Sequence, residues 1–342
     1  GTTGAATAVA LTHANLANTQ ARLIAAMAMD SDIREYLGVP PGYSFGLGRV
    51  RAVAGVGGQL FVPAHGFDPH EFGQMLQAGA VNALSAVPTL LRVLLANRDQ
   101  LGEAGARLRW LEIGSQAMSR DEKEAVKTLF PNARIVQHYG LTQASRTTFL
   151  DLHTAEGAAL NSVGCAQPPV ELRIVDGELL VRGPHVAAAR LVGGELQPLT
   201  DTDGWLATGD LARLDDGWLV YEGRADDQIN CGGIKLQPDA VEAGITAQLG
   251  AVPVGVARRA DALRGDGILV AAERAAGVEV AQLRAAAEFV IAGYGLHAGT
   301  ALDVVLVDRL PRTETGKLRR QALAAEHAPA AAAPTAEARL VA

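Results

Sequence analysis

Lysine is scarce in this chain: 4 of its 30 basic residues are lysine and the rest are arginine. Lys317 stands in Leu310-Pro311-Arg312-Thr313-Glu314-Thr315-Gly316-Lys317-Leu318-Arg319-Arg320, where an arginine would serve any ordinary surface purpose. A solvated loop lysine is one reading. The other is a compact ammonium for a crowded site, where a planar guanidinium fits poorly. Three further places carry usable chemistry. Asp210, in Thr208-Gly209-Asp210, has a carboxylate that can cap a turn or accept from two vicinal hydroxyls, the geometry of a ribose diol. Gly1-Thr2-Thr3-Gly4 is either a frayed terminus or a loop whose glycine N–H groups and threonine hydroxyls face phosphate oxygens. Tyr139 stands in Gln137-His138-Tyr139-Gly140-Leu141-Thr142-Gln143, at the end of an apolar run.

These residues need a framework. Short apolar runs at 59–62, 81–87, 108–114 and 134–137 alternate with helical patterns, which predicts a parallel sheet with crossover helices. In such sheets ligands bind beyond the carboxyl ends of strands. Gly114-Ser115-Gln116-Ala117-Met118 and the segment from Gln137 to Gln143 are those ends. The spacing predicts a helix over 13–29, and Pro40-Pro41-Gly42 marks 37–48 as loop. From 161 to 221 the chain is strand-rich. Asp176-Gly177 and Asp215-Asp216-Gly217 read as turns of two hairpins, the second holding Thr208-Gly209-Asp210 at one end. Gly223-Arg224-Ala225-Asp226-Asp227 is charged and lacks a periodic apolar face, so a domain boundary is expected at Asp226. Beyond it, helices at 238–249 and 280–292 and strands at 252–257, 267–272 and 302–307 describe a small α/β body. The expected organisation is therefore α/β. A domain at 1–225 comprises an α/β part (1–150) and a β part (160–222). A second domain spans 226–324, and an Ala-Pro-rich flexible tail spans 325–342.

The stretch from Gly204 to Glu242 resembles the adenylate-forming superfamily of acyl-CoA synthetases, aryl-CoA ligases, luciferases and peptide-synthetase adenylation domains. Its members show TGD, then GRxDDxIK, then GxKIxPxEIE. Here stand Thr208-Gly209-Asp210, then Gly223 to Asn230, then Gly233-Ile234-Lys235-Leu236-Gln237-Pro238-Asp239-Ala240-Val241-Glu242, with Asn230 and Ala240 as departures. The first residues resemble the family's phosphate loop, SGTTGxPKGVxxTHxNL, with Ala6-Thr7-Ala8 replacing Pro-Lys-Gly. The segment around Tyr139 resembles YGxTE with Gln143 for the glutamate, and Lys317 falls in PRTxxGKxxR. The resemblance implies ATP, Mg²⁺ and CoA as cofactors, and a small-molecule carboxylic acid and CoA as partners. It implies that Thr2, Thr3 and Gly4 meet phosphate, that Tyr139 stacks on adenine, and that Gln137 with Ser115, Gln116 and Ala117 meets the base edge. His138 and Gly140 flank that tyrosine, Thr142 reaches the α-phosphate, and Asp210 and Arg224 bind ribose. His138 and Arg146 are also compatible with satisfied structural roles. Tyr43, Ser44, Phe45, Gly46 and Gly114 would line the acyl pocket. Gly46 stands where amino-acid-activating relatives keep an aspartate, so an apolar or aromatic acid is favoured. Gln143 would be a weak Mg²⁺ ligand, because an amide brings no charge.

By the same resemblance Lys317 is catalytic. Adenylation drives a carboxylate onto a phosphate, and two like charges about 4 Å apart repel by roughly 4 kcal/mol at an effective dielectric of 20. An ammonium between them relieves this. Asp226 would be the hinge that lets the second domain serve both half-reactions, and Gly232 and Gly233 would leave room for pantetheine. The phosphate loop normally lies well inside the large domain, so a first portion of the usual fold is expected to be missing, through either a fragment or a short variant.

The formal net charge of −7 opposes binding to nucleic acid or anionic membrane. Cys165 and Cys231 are far apart without metal-ligand spacing, no apolar run is long enough to span a membrane, and no secretory signal is evident, so a cytoplasmic location is expected. Two other readings stay open: delivery of the acyl group to a carrier protein, and a degenerate, non-catalytic nucleotide-binding homologue.

Overall fold

The computed structural model describes residues 8–116, 118–250, 252–313 and 316–327. Thr2, Thr3, Gly4 and Ala117 lie outside the described residues. The chain forms two compact units, and among the described residues these are 8–221 and 222–327. Asp226, the expected hinge, lies just inside the second.

The first unit opens with β1 (Ala8–Ala10) and α1 (His13–Met27). Thr12 and Asn15 form a reciprocal cap that starts this helix where the apolar period begins. Next come β2 (Arg34–Leu37), α2 (Ser44–Gly55), β3 (Gln59–Phe61), α3 (Pro69–Gln77), β4 (Ala83–Ala86), α4 (Pro88–Ala96) and α5 (Arg98–Leu101). The series ends with β5 (Trp110–Ile113), α6 (Arg120–Leu129), β6 (Arg134–Tyr139) and β7 (Thr148–Asp151). The sheet runs β3-β2-β4-β5-β6-β7. All pairs are parallel except the last, where β7 returns antiparallel along β6. Every residue of β4 and β5 is buried, as a strand covered on both faces must be. One face packs Leu84, Leu111, Ile113 and Ile135 against Phe72, Leu91 and Val126; the other packs Ala83, Trp110 and Val136 against Leu23, Met27 and Val53.

Residues 37–48 correct the loop expectation. Leu37 ends β2, and Ser44 opens α2. Phe45, Gly48, Arg49 and Ala52 recur at helical spacing and are buried, but the proline pair and three glycines mask that period in the sequence. Gly46 has a packing reason: a β-carbon there would come 2.2 Å from the Pro40 carbonyl oxygen, so only glycine lets the turn lie on the first turn of the helix.

The β part contains β8 (Glu171–Val175), β9 (Glu178–Arg182), β10 (Ala189–Val192), β11 (Glu195–Pro198), β12 (Leu206–Asp215) and β13 (Trp218–Arg224). Both expected hairpins form. Asp176-Gly177 and Asp216-Gly217 have φ of 50° and 85°, and 48° and 83°, the left-handed pair that a two-residue turn needs. Thr208-Gly209-Asp210 lies within β12 rather than at the hairpin's end. The pairing of β12 with β9 slips between Ala207 and Leu211, so the tripeptide forms a bulge, with Gly209 at φ 72°.

The second unit adds β14 (Ile229–Cys231), β15 (Ile234–Leu236), α7 (Pro238–Gln248), β16 (Val254–Asp261), β17 (Gly265–Glu273), α8 (Val280–Ala292), β18 (Leu302–Val307) and α9 (Arg320–Glu326). The sheet runs β15-β14-β17-β16, with β18 parallel to β17, and α7 and α8 pack on one face around Val241, Ile245, Leu283 and Ile291. The unit therefore has its own core. Among the described residues no helix is long and apolar enough to cross a membrane.

Leu111 is fully buried in β5. Leu111→Ala is expected to lower the unfolding free energy of the first unit by about 2–5 kcal/mol, read as a shifted urea midpoint with an unchanged slope.

Candidate functional site

Two strand ends meet at the carboxyl edge of the first sheet. Strand β5 ends at Ile113, and the chain then passes through buried Gly114 to Ser115, which holds φ 79° without being glycine. Such left-handed strain in a side-chain-bearing residue collects at ligand sites. Thr89 Oγ1 donates to Gln116 Oε1 at 3.1 Å and ties the segment to α4. Neighbouring β6 ends at Tyr139, where the loop closes tightly: Leu141 N donates to Ala144 O at 2.9 Å, and Thr147 N to Tyr139 O at 2.7 Å. A β-carbon on Gly140 would fall 2.4 Å from Arg146 N, so this closure requires glycine. Thr142 is exposed at the tip, and the backbone carbonyl of Gln143 accepts from Ala187 N at 2.7 Å.

Tyr139 OH donates to Asp210 Oδ2 at 2.5 Å, so two residues expected to share one nucleotide are direct partners. Asp210 is 2% exposed. The bulge holds it there: Thr208 Oγ1 donates to Leu179 O (2.7 Å) and accepts from Asp210 N (3.1 Å), while Gly209 N donates to Glu178 Oε1 (2.8 Å). Burial, then the adjacent Asp210 carboxylate, pushes the Tyr139 phenol well above its ordinary value, so it remains a donor. Tyr221 lies beside it, ring centres 6.1 Å apart. Two strand positions back, Gln137 is 1% exposed, and its Oε1 is enclosed without a hydrogen-bond partner among the described residues. A buried acceptor left unpaired costs about 1–3 kcal/mol, which marks it as a place for a ligand donor.

His138 joins a different group. Its ring stands edge-on to Phe45 with centres 4.9 Å apart, and a β-carbon on Gly114 would lie 2.2 Å from the His138 ring. Phe45, Gly114 and His138 therefore form one small apolar-walled corner. Tyr43 and Ser44 stand at the start of α2, with Tyr43 exposed.

Behind that corner lies a network in which Arg146 takes the structural role open to it from sequence, while Glu35, Arg49 and Glu112 were missed there. Glu35 of β2, Arg49 of α2, Glu112 of β5 and Arg146 of the loop after β6 are each at most 1% exposed. Arg49 pairs with Glu35 through Nη2 and donates from Nη1 to Glu112 Oε2 at 3.0 Å. Arg146 grips Glu112 with Nε to Oε1 at 2.7 Å and Nη2 to Oε2 at 3.1 Å, and also reaches the Phe45 carbonyl at 3.3 Å. Glu112 Oε1 lies 2.7 Å from His138 Nδ1 but off the direction of a well-formed hydrogen bond, so this contact is mainly electrostatic. Desolvation would raise the Glu112 carboxyl, yet Arg146, His138 and Arg49 together hold it well below the usual range. Burial lowers the His138 imidazole below its ordinary value, against the pull of Glu112. A charged residue amid the apolar run of β5 was the one sequence signal for this network.

The remaining expected residues lie in the second unit. Arg224 Nε pairs with Asp226 Oδ1 at 3.1 Å. Gly232 and Gly233, at φ 62° and 88°, make the turn between β14 and β15. Lys317 is exposed on the loop before α9. Lys123, by contrast, is 1% exposed and donates to the Leu160 and Ser162 carbonyls at 2.8 and 2.7 Å, a structural reason for a lysine. Among the described residues no group of three or more His, Cys, Asp or Glu could hold a metal.

The fold is that of solved ligases. ATP-bound MatB from Rhodopseudomonas palustris superposes with a TM-score of 0.80 at 24% identity, over 95% of this chain and 66% of that one. The chain belongs to the AMP-binding enzyme family, whose model matches residues 1–189. It is 30% identical over 267 residues to the 2-succinylbenzoate–CoA ligase of Listeria monocytogenes, covering 76% of this chain and 55% of that protein. It is 27% identical to the long-chain-fatty-acid–CoA ligase of Bacillus subtilis, over 95% of this chain and 60% of that protein. The chain thus spans little more than half the length of these relatives.

Glu112 titrates below its unfolded value of 4.5, so its ion pairs stabilise the fold fully above that pH, and the contribution is lost as pH falls from there toward the lower folded value. Glu112→Gln leaves the buried Arg146 guanidinium without its carboxylate while Arg49 keeps Glu35, and is expected to cost about 3–5 kcal/mol at pH 7. The stability of the variant, followed by urea unfolding from pH 7 to 3, should fall less steeply with acid than that of the parent.

Proposed function

We propose that this chain takes part in AMP-forming activation of a carboxylic acid, followed by transfer of the acyl group to the thiol of CoA. The observation that carries the reading is the grouping of Tyr139, Asp210 and the unpaired Gln137 Oε1 at one strand end. A base can stack on the Tyr139 ring for about 1–3 kcal/mol. Its amino group can supply the donor that Gln137 lacks. Vicinal ribose hydroxyls can take the place of the Tyr139 hydroxyl at Asp210, exchanging one hydrogen bond for two. Arg224 would assist at the ribose, and Ser115, Gln116 and Thr142 would face the base edge and the α-phosphate.

In the first step a carboxylate oxygen attacks the α-phosphorus and pyrophosphate leaves. In the second a thiolate attacks the acyl carbon and AMP leaves. Lys317 would shield the two anions in the first step. Phe45 and Gly114 bring no charge of their own to the expected acyl pocket, which favours an apolar or aromatic acid. Names of relatives point the same way, since they include 2-succinylbenzoate, 4-coumarate-like and long-chain-fatty-acid CoA ligases. Neutral Gln143 supports only weak Mg²⁺ binding, so the metal would be held largely by the nucleotide itself.

The test is acid-dependent exchange of labelled pyrophosphate into ATP. Lys317→Ala is expected to slow exchange by about 100-fold, the roughly 3 kcal/mol typical of a preorganised charge. Retained ATP binding without exchange in the parent chain would sink the enzymatic reading and favour a nucleotide-binding homologue.

A further inference from the structure

The two described flanks of the Lys317 loop, up to 313 and from 316, are bonded to each other. Thr313 N donates to Lys317 O at 2.8 Å, Lys317 N to Thr313 Oγ1 at 3.1 Å, and Arg319 N to Pro311 O at 2.8 Å. Arg312 Nη1 donates to Gly316 O at 2.9 Å, closing the side opposite the backbone bridge between Arg312 and Leu318. Beneath it, Leu310 and Leu318 are buried against Ala257, Leu269, Ala271 and Val307. Gly255 makes that seat possible, because a β-carbon there would press on methyls of both leucines at 3.0 Å.

Two side chains anchor the loop's ends. At the first, Glu273 Oε1 accepts from Leu310 N at 2.9 Å. At the second, Arg320 bonds to Asp239 and lies 3.1 Å from Glu242 Oε1, both on α7. The Arg320 side chain is only 11% exposed. Glu242 Oε1 also accepts from Val256 N at 2.8 Å, so the cluster is locked to β16 as well. Asp227 brings a third carboxylate into the field of this one guanidinium. Burying one arginine among several acids is costly unless its geometry is used, since each partner must be desolvated. Arg320 Nη2 is shared between the two α7 acids, of which burial pushes the Glu242 carboxyl up to about 8 so that Asp239 is the ionised partner at pH 7, and Arg320 follows Lys317 by less than one helical turn.

We infer that Arg320 is a positioning residue for Lys317, fastening the lysine loop to α7 through Asp239 and Glu242 so that the ammonium is presented from a rigid base. This rests on the reading of Lys317 as the adenylation cation. The role differs from general stabilisation in being exerted wholly through Lys317.

The test uses the 342-residue chain with Arg320→Ala, Arg320→Lys and Lys317→Ala. Hydrogen exchange at the Thr313 and Lys317 amides should quicken by about tenfold in Arg320→Ala, while amides of Val270 and Ala271 in β17 stay unchanged, because local opening is decoupled from the core. Pyrophosphate exchange should fall by about tenfold in kcat with the KM for the acid unchanged, and Arg320→Lys should recover part of it. Combined with Lys317→Ala, Arg320→Ala should add no further loss. Unchanged loop amides, or losses that multiply in the double variant, would overturn the inference while leaving the role of Lys317 standing. Full exchange activity in Lys317→Ala would overturn both. Should Arg320→Ala not fold, Asp239→Asn, whose side chain is 47% exposed, removes one anchor and carries the same measurements.

Discussion

Glu112 is the charge on which the first unit depends. An ionised carboxylate at the middle of a covered parallel strand is untenable alone, since its desolvation costs several kcal/mol. Arg146 and Arg49 make it tolerable, and Glu35 balances the second arginine. These four residues come from β2, α2, β5 and the loop after β6, so satisfying one charge fixes four segments against one another. Phe45 then faces His138, and Gly114 must remain glycine because the imidazole occupies the space a β-carbon needs. The corner of Phe45, Gly114 and His138, the acyl pocket of the proposed function, is in this sense the outer surface of an electrostatic solution found deeper in the sheet.

The pairing of Tyr139 with Asp210 follows a different rule. Asp210 is held by a slip in strand pairing, at which Gly209 N donates to Glu178 Oε1 and the Thr208 hydroxyl donates to the Leu179 carbonyl and accepts from Asp210 N. A regular strand would alternate side chains across the two faces. The bulge instead turns Asp210 toward Tyr139, on a strand from another sheet. Membership of the AMP-binding enzyme family accords with this arrangement, though the chain covers 55% of its Listeria relative and 60% of its Bacillus one.

Much of this was legible in the residues. Strands β3 to β6 of the first sheet and the two Asp-Gly hairpins follow from apolar runs and turn chemistry, which are local; β2 and β7 were not expected. What escaped was non-local or disguised. Helix α2 hides behind Pro40, Pro41 and three glycines, and its glycines exist to admit Pro40 and Arg146, neither visible as a helical signal. Strand β2 carries Arg34 and Glu35, which argue against burial unless Arg49 is known to be near. His138 was grouped with Tyr139 by adjacency, yet alternation along β6 turns it toward Phe45 instead. Likewise Arg320 looks like one more basic residue until α7 supplies its acids.

The lone oxygen of Gln137 has a consequence for selectivity. An enclosed acceptor welcomes a base edge that offers hydrogen and repels one that offers a lone pair. Guanine, with a carbonyl where adenine has an amine, would set oxygen against oxygen in a space from which water is excluded. In the proposed site such a choice between purines requires a contact that holds the Gln137 amide in this orientation, because a half-turn of the side chain would present hydrogen instead.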